Sequence, residues 1–200
     1  TGTYLANNDP DHLITFHPAG QWMSSDFYPN AFWLDFHTFQ SGHKTSCPSN
    51  CNYQFVTEDY TRTSNLKPTL DSEPAYENIR ENFTGPYWDS KVVRKKAYWS
   101  ILGGSFGHTY GENHIWQFTG SNGSTYWYYA FTDWWTPTAL DAECSFDILH
   151  FRDLFLSRPI LTRIPDQSII ASYNPASGED HLQAARGNDY CMIYTPNGRT

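Results

Sequence analysis

No uncharged apolar run in these 200 residues approaches the ~20 that a bilayer-spanning helix needs, which excludes a membrane span of that kind. Basic residues are few. Lys and Arg number 13 against 21 Asp and Glu, a net charge of -8, which is the wrong sign for phosphate backbones and excludes nucleic acid as a partner. The one basic cluster, Arg94-Lys95-Lys96, falls inside a helical pattern and reads as a solvated helix face. Charged residues of both signs make up only 17% of the chain against 18% aromatics, the reverse of a disordered composition. Cysteine is scarce too. One C-x3-C, Cys47 and Cys51, with no second pair lacks the ligands of a zinc site, and no metal or cofactor is expected.

Cys47 and Cys51 bracket Pro48-Ser49-Asn50 in a polar loop, which fits a small disulfide-closed turn. Cys144 and Cys191 read either as a bridge from the last long helix to the segment after it or as separately buried thiols. Two glycosylation sequons, at Asn82 and Asn122, lie in loop-like sequence. With the cysteines they favour a secreted, extracellular protein. No signal peptide is visible. Eight Trp, 14 Tyr and 13 Phe on an acidic chain suit a neutral, hydroxyl-rich ligand, because flat rings pack on sugar C–H faces while amides, His and carboxylates bind hydroxyls.

Strand, loop and helix alternate. Four short runs rich in β-formers, each bounded by Gly or Pro, read as strands: residues 12–17, 34–40, 68–73 and 104–111. A helix capped by Asp89 or Ser90 and stopped at Gly103-Gly104 lies between the third and fourth, and another spans roughly Ser145 to Ser157, with Ile148, Phe151 and Phe155 at helical spacing. The strand ends His17, Gln40, Glu73 and His108 cover 91 residues in three steps, about 30 each. A (β/α)8 barrel allots ~31 per unit and keeps its active site at the C-terminal ends of the strands. After Arg163 come β-like runs at Gln167–Ser172, Leu182–Arg186 and Asp189–Tyr194. The expected fold is α/β: residues 1–162 form half of a TIM barrel, and residues 163–200 begin an all-β domain. Four units do not close a barrel, so the missing strands are expected from the rest of the same chain or from a tightly associated piece.

Glycosidic cleavage needs two carboxyl groups flanking the bond. Glu73, at a strand tip before Pro74, is the best-placed carboxylate. Asp71 reads as a buried structural partner, and Glu77 and Glu112 as secondary candidates on the rim. The motifs HLITFHPAG, WLDFHTFQSGH, KPTLDSEPAYE, AYWSILGGSFGHTYGENHIWQF and SRPILTRIPDQ, in this order, resemble the apiosidase-like glycoside hydrolases. The resemblance implies that the strands found are barrel strands five to eight, followed by the family's so-called collagen-binding β-domain. It implies that Glu73 is the nucleophile, and that the acid/base is an aspartate in a Gly-Gly-Asp stretch upstream of Thr1. It also implies an oligo- or polysaccharide substrate contacted by His17, Gln40, His43, His108, Tyr110 and His114, with Trp22 and Trp116 as stacking platforms. Ala19 stands where the family commonly has arginine, which bears on substrate identity more than on mechanism.

Two rival readings follow from the same residues. A metal-dependent hydrolase would use His17, His37, His43, His108 and His114, but strand alternation sends His37 and Gln40 to opposite faces. A non-catalytic carbohydrate-binding or structural protein on the same fold would use the aromatic run Tyr126–Trp135 as a platform or, in a homo-oligomer, as a self-association surface, though the run reads first as an insertion packed on the barrel.

Overall fold

The computed structural model describes residues 1–44, 51–116, 137–171 and 178–198. Seven α-helices are present among them: α1 (Gly2–Asn8), α2 (Ser24–Phe27), α3 (Asn52–Tyr60), α4 (Ser90–Gly103), α5 (Asn113–Trp116), α6 (Pro137–Leu140) and α7 (Glu143–Leu156). Strands β1 (His37–Phe39), β2 (Thr69–Asp71) and β3 (Gly107–His108) form a parallel sheet in that order. Strands β4 (Ile164–Pro165), β5 (Gln183–Arg186) and β6 (Cys191–Tyr194) form a separate antiparallel sheet.

The parallel register pairs Phe39 with Asp71 and Asp71 with His108. Side chains of parallel neighbours at one level share a face, and here that face meets helices. Phe39 stacks on Phe55 of α3 with ring centroids 5.4 Å apart and packs in a core with Met23 and Val56. Residues 12–17, expected as a strand, are not one. They run beside β1, held by Thr15 and Thr38 hydroxyls donating to Phe36 and Phe16 carbonyls at 2.7 and 2.6 Å, so side chains replace the ladder.

Helix α4 is the centre of the chain. Asp89 caps it by accepting the Val92 N–H at 3.0 Å, a contact worth about 1 kcal/mol. Gly104 ends it in the left-handed region at φ 116°. A Cβ there would stand 2.5 Å from the Tyr60 ring, so glycine alone fits this junction. Ala97, Ile101 and Leu102 form one apolar core with Phe151 and Phe155 of α7 and Ala185 of β5. Tyr98 stacks on Tyr194 of β6 at 4.5 Å, and Trp99 donates its indole N–H to the His181 carbonyl at 2.9 Å.

This crowding corrects the solvated-face reading of Arg94-Lys95-Lys96. Lys95 is buried and paired with Glu179, Arg94 is paired with Asp147, and the Lys96 ammonium lies 4.5 Å above the Trp88 ring. With α3, α7 and the antiparallel sheet all packed on α4, little of it faces water, so the cationic heads find carboxylates and rings instead. Gln167–Ile169 is a 3-10 turn where a strand was expected, because Asp166 caps it through the Ser168 N–H.

Candidate active site

Glu73 stands just past the C-terminal end of β2. The Ser72 N–H still reaches the Phe39 carbonyl of β1 at 3.0 Å, and Pro74, with no N–H, can add no further bond. The carboxylate is gripped from two sides. His17 Nε2 is 3.0 Å from one oxygen and His43 Nε2 is 3.1 Å from the other. An ionised carboxylate only accepts, so each imidazole carries a proton on Nε2. His17 Nδ1 is held in turn at 3.0 Å by the Ser72 hydroxyl. Burial alone would raise the Glu73 carboxyl, but the hydrogen bonds and charges of His43 and His17 outweigh it and hold the group below its ordinary value. Glu73 is therefore an ionised carboxylate whose side chain remains 25% exposed, open to a ligand.

Rings surround this centre. The His43 ring lies 4.6 Å from Tyr76 and 6.4 Å from Trp88. Burial, then the Glu73 charge, pushes the Tyr76 hydroxyl up to about 12. Trp22 and Trp116, the two expected platforms, are 52% and 46% exposed. Trp116 lies 6.3 Å from Tyr76. The Gln40 side chain is within 4 Å of the Cβ positions of Gly20 and Gly42, beside the turn that carries His43. Tyr76 and Ser72 were missed by sequence reasoning, although both sit inside the DSEPAY motif that singled out Glu73.

Tyr110 and His114 serve other partners. The Tyr110 hydroxyl donates to Glu77 at 2.6 Å, and His114 Nδ1 lies 2.6 Å from Glu112. Glu77 and Glu112 are not on the rim, being only 4% and 6% exposed. Glu77 accepts the backbone N–H of Cys144 at 3.1 Å in the first turn of α7, and Asn78 donates to Glu112 at 3.0 Å. The two loops are also joined by main-chain bonds, from Glu77 N–H to the Gly111 carbonyl and from Asn113 N–H to the Glu77 carbonyl. Burial raises Glu77, whereas His114 and Asn78 overcome burial at Glu112 and lower it. This pair ties the loops after β2 and β3 to helix α7.

His108 does not join Glu73. It shares the helix-facing side of the sheet with Asp71, its ring is 6.3 Å from Phe151 of α7, and both ring nitrogens are buried without partners. Burial, then the Lys96 charge, pulls it down to about 3, so it is a neutral packing residue. His37 is likewise buried against the helix layer, its Nδ1 3.4 Å from the Ser24 hydroxyl. Of the histidines in the metal reading, His17 and His43 meet at Glu73 while His37, His108 and His114 lie elsewhere, and among the described residues no three His, Cys, Asp or Glu side chains are grouped to hold a metal.

Cys144 and Cys191 are free thiols, the first buried and the second exposed. Cys51 is disulfide-bonded, whereas Cys47 lies outside the described residues, as do the Asn122 sequon and the aromatic run Tyr126–Trp135. Asn82 is exposed.

Ionisable side chains gathered at the C-terminal ends of parallel strands are where α/β-barrel enzymes keep their active sites. Comparison with known proteins gives the family. Residues 1–162 match the model of the apiosidase-like catalytic domain, and residues 164–200 match one described as "Putative collagen-binding domain of a collagenase". The chain belongs to the apiosidase-like family. It is similar to a solved structure titled "Glycoside hydrolase", at 36% identity over 97% of this chain and 46% of that one, with a TM-score of 0.86. It is also similar to a glycoside hydrolase family 5 structure from Bacteroides vulgatus, at 35% identity over 98% and 45%, with a TM-score of 0.85. The chain thus spans less than half the length of these structures. No curated protein matches it.

Proposed function

We propose that the complete protein is a secreted (β/α)8-barrel glycosidase acting on an oligo- or polysaccharide by a retaining mechanism, with Glu73 as its nucleophile. One observation carries this reading: an ionised, partly exposed carboxylate at a strand tip, each oxygen bonded to a histidine. In a retaining mechanism the nucleophile attacks the anomeric carbon while a partner acid protonates the leaving oxygen, and water then releases the glycosyl-enzyme. Lowering of Glu73 by His43 and His17 suits the first role, since the attacking group must be charged. The partner acid is the family's Gly-Gly-Asp aspartate, which is not among these residues. His17, bonded to Glu73, and Gln40, beside the turn that carries His43, are read as sugar contacts, with Trp22 and Trp116 as stacking faces. The Cys51 disulfide and the exposed Asn82 sequon support the extracellular setting.

The test is hydrolysis of a glycan panel by the full-length protein, followed by proton NMR of the anomeric signal at early times. Retention of configuration is expected. Inversion, or no cleavage of any glycan by folded protein, would overturn the reading, and the second result with measurable glycan binding would favour the non-catalytic alternative.

A further inference from the structure

Asp71 lies two residues before Glu73 but faces away from the site, is wholly buried, and is bonded to the turn that carries His43. The Ser41 hydroxyl donates to Asp71 Oδ2 at 2.7 Å and the Ser41 N–H to Oδ1 at 3.3 Å. One residue on, Gly42 adopts φ 66°, in the left-handed region, and donates its N–H to the Glu73 carbonyl at 2.9 Å. The next residue is His43, whose carbonyl accepts the Asn82 N–H at 2.9 Å and whose ring meets Glu73. The turn is therefore strapped to the end of β2 from below by a side chain and from above by the main chain. Asp71 is fixed in turn from the helix layer. Asn52 of α3 donates to it at 3.3 Å, and the same amide also reaches the Lys96 carbonyl at 2.8 Å and the Ser100 hydroxyl at 3.0 Å.

We propose that Asp71 is a positioning residue, which sets the turn Ser41–His43 and through it the contact between His43 and Glu73. The inference rests on the reading of Glu73 as nucleophile for its catalytic consequence, but not for its structural content. A buried carboxylate is an expensive way to hold a serine, and the cost is reasonable only where both oxygens must accept. The charged and titratable groups around Asp71 are Lys96 from α4 and His108, its registered neighbour on β3. Asn52 from α3 is uncharged, and the turn carries His43. Burial raises Asp71 to about 6 against the pull of Ser41 and Lys96. Protonation turns one acceptor oxygen into a donor, so the hold on Ser41 weakens as pH falls through that value.

The test uses the full-length protein and two variants acting from opposite ends of the strap, Asp71→Asn and Ser41→Ala, each checked for folding by near-ultraviolet circular dichroism. At pH 7.5, imidazole 15N NMR should show the His43 resonances displaced in both variants and those of His17, held separately by Ser72, unmoved. With glycan substrate, kcat should fall about tenfold with little change in KM, as for loss of one aligned contact in the transition state. Should Asp71→Asn fail to fold, Ser41→Ala carries the same comparison. Unchanged His43 signals in the folded variants, or equal displacement of His17 and His43, would overturn the proposal. Displaced His43 signals with unchanged kcat would support the positioning role and count against the Glu73 assignment instead.

Discussion

His17 and His43 each take one oxygen of Glu73, from opposite sides and from different loops. His17 is 45% exposed and His43 only 8%, so the clamp has an open jaw and a buried one. The His43 ring is locked among Tyr76, Phe83 and Trp88. On the reading of Glu73 as nucleophile, the exposed His17 is available to substrate and the buried His43 orients the carboxylate.

His108 supplies the first prediction. Its folded value, about 3, lies below the ordinary 6.5. A depressed value means that the unfolded chain binds the proton more tightly, so the stability this group contributes is complete above 6.5. It is lost as pH falls toward 3, by at most about 5 kcal/mol. Asp71 acts in the opposite sense over a narrower window, between 3.8 and about 6. In full-length protein, His108→Leu should reduce the fall in Tm between pH 7 and pH 4. At pH 7 it should be no less stable than wild type, since two unpaired nitrogens leave the interior. Glycan turnover at pH 7 should be unchanged. A Tm profile as steep as wild type, or lost turnover, would sink this assignment.

That residue also shows where sequence reasoning stopped. Positions of the sheet strands were legible because Gly and Pro bound each run, and α4 was legible because Asp89 and Gly104 are strong end signals. Facing was not. Asp71 and His108 are paired across β2 and β3 and both meet helices, whereas Glu73 lies past the last ladder pair and is free of strand alternation. A single sequence does not reveal which strand residue is the last to pair. Helix α3 escaped notice because its inner face includes Asn52 and Asp59. Their burial depends on distant partners, Asp71 for the first, Ser25 and Thr69 for the second.

A second prediction concerns the junction after α4. At Gly104 a side chain would meet the Tyr60 ring and Pro165 while the backbone keeps φ 116°. Gly104→Ala should lower stability by about 1–3 kcal/mol, the combined cost of a strained backbone and a displaced ring. Thermal unfolding of the full-length variant measures it. A Tm equal to wild type would mean that Tyr60 moves aside freely.

The thiols give a third. Cys191 is exposed, while Cys144 is buried and burial, then the Glu77 charge, pushes it up to about 12. Iodoacetamide at pH 8 should label Cys191 in folded protein and reach Cys144 only after denaturation. Unreduced peptide mapping should recover Cys47 and Cys51 as one linked species. Free thiols at both positions would remove the disulfide-closed turn, and rapid labelling of Cys144 would contradict its burial.

Glu73→Gln is the decisive substitution. The amide keeps the size of the carboxylate and still offers one oxygen to His17 or His43, so the variant should fold with a Tm close to wild type. It carries no negative charge, and a neutral amide neither attacks an anomeric carbon nor stabilises the oxocarbenium-like transition state. Turnover of the full-length enzyme should fall by several orders of magnitude while glycan affinity, measured by calorimetry, stays within a few-fold, because the stacking faces of Trp22 and Trp116 are untouched. Loss of both turnover and affinity would point to Glu73 as a binding group rather than the nucleophile. Near wild-type turnover would eliminate it altogether. Glu77 would not then inherit the role readily, since it is buried and bonded to Tyr110 and the Cys144 N–H, so the attacking group would have to be sought outside these residues.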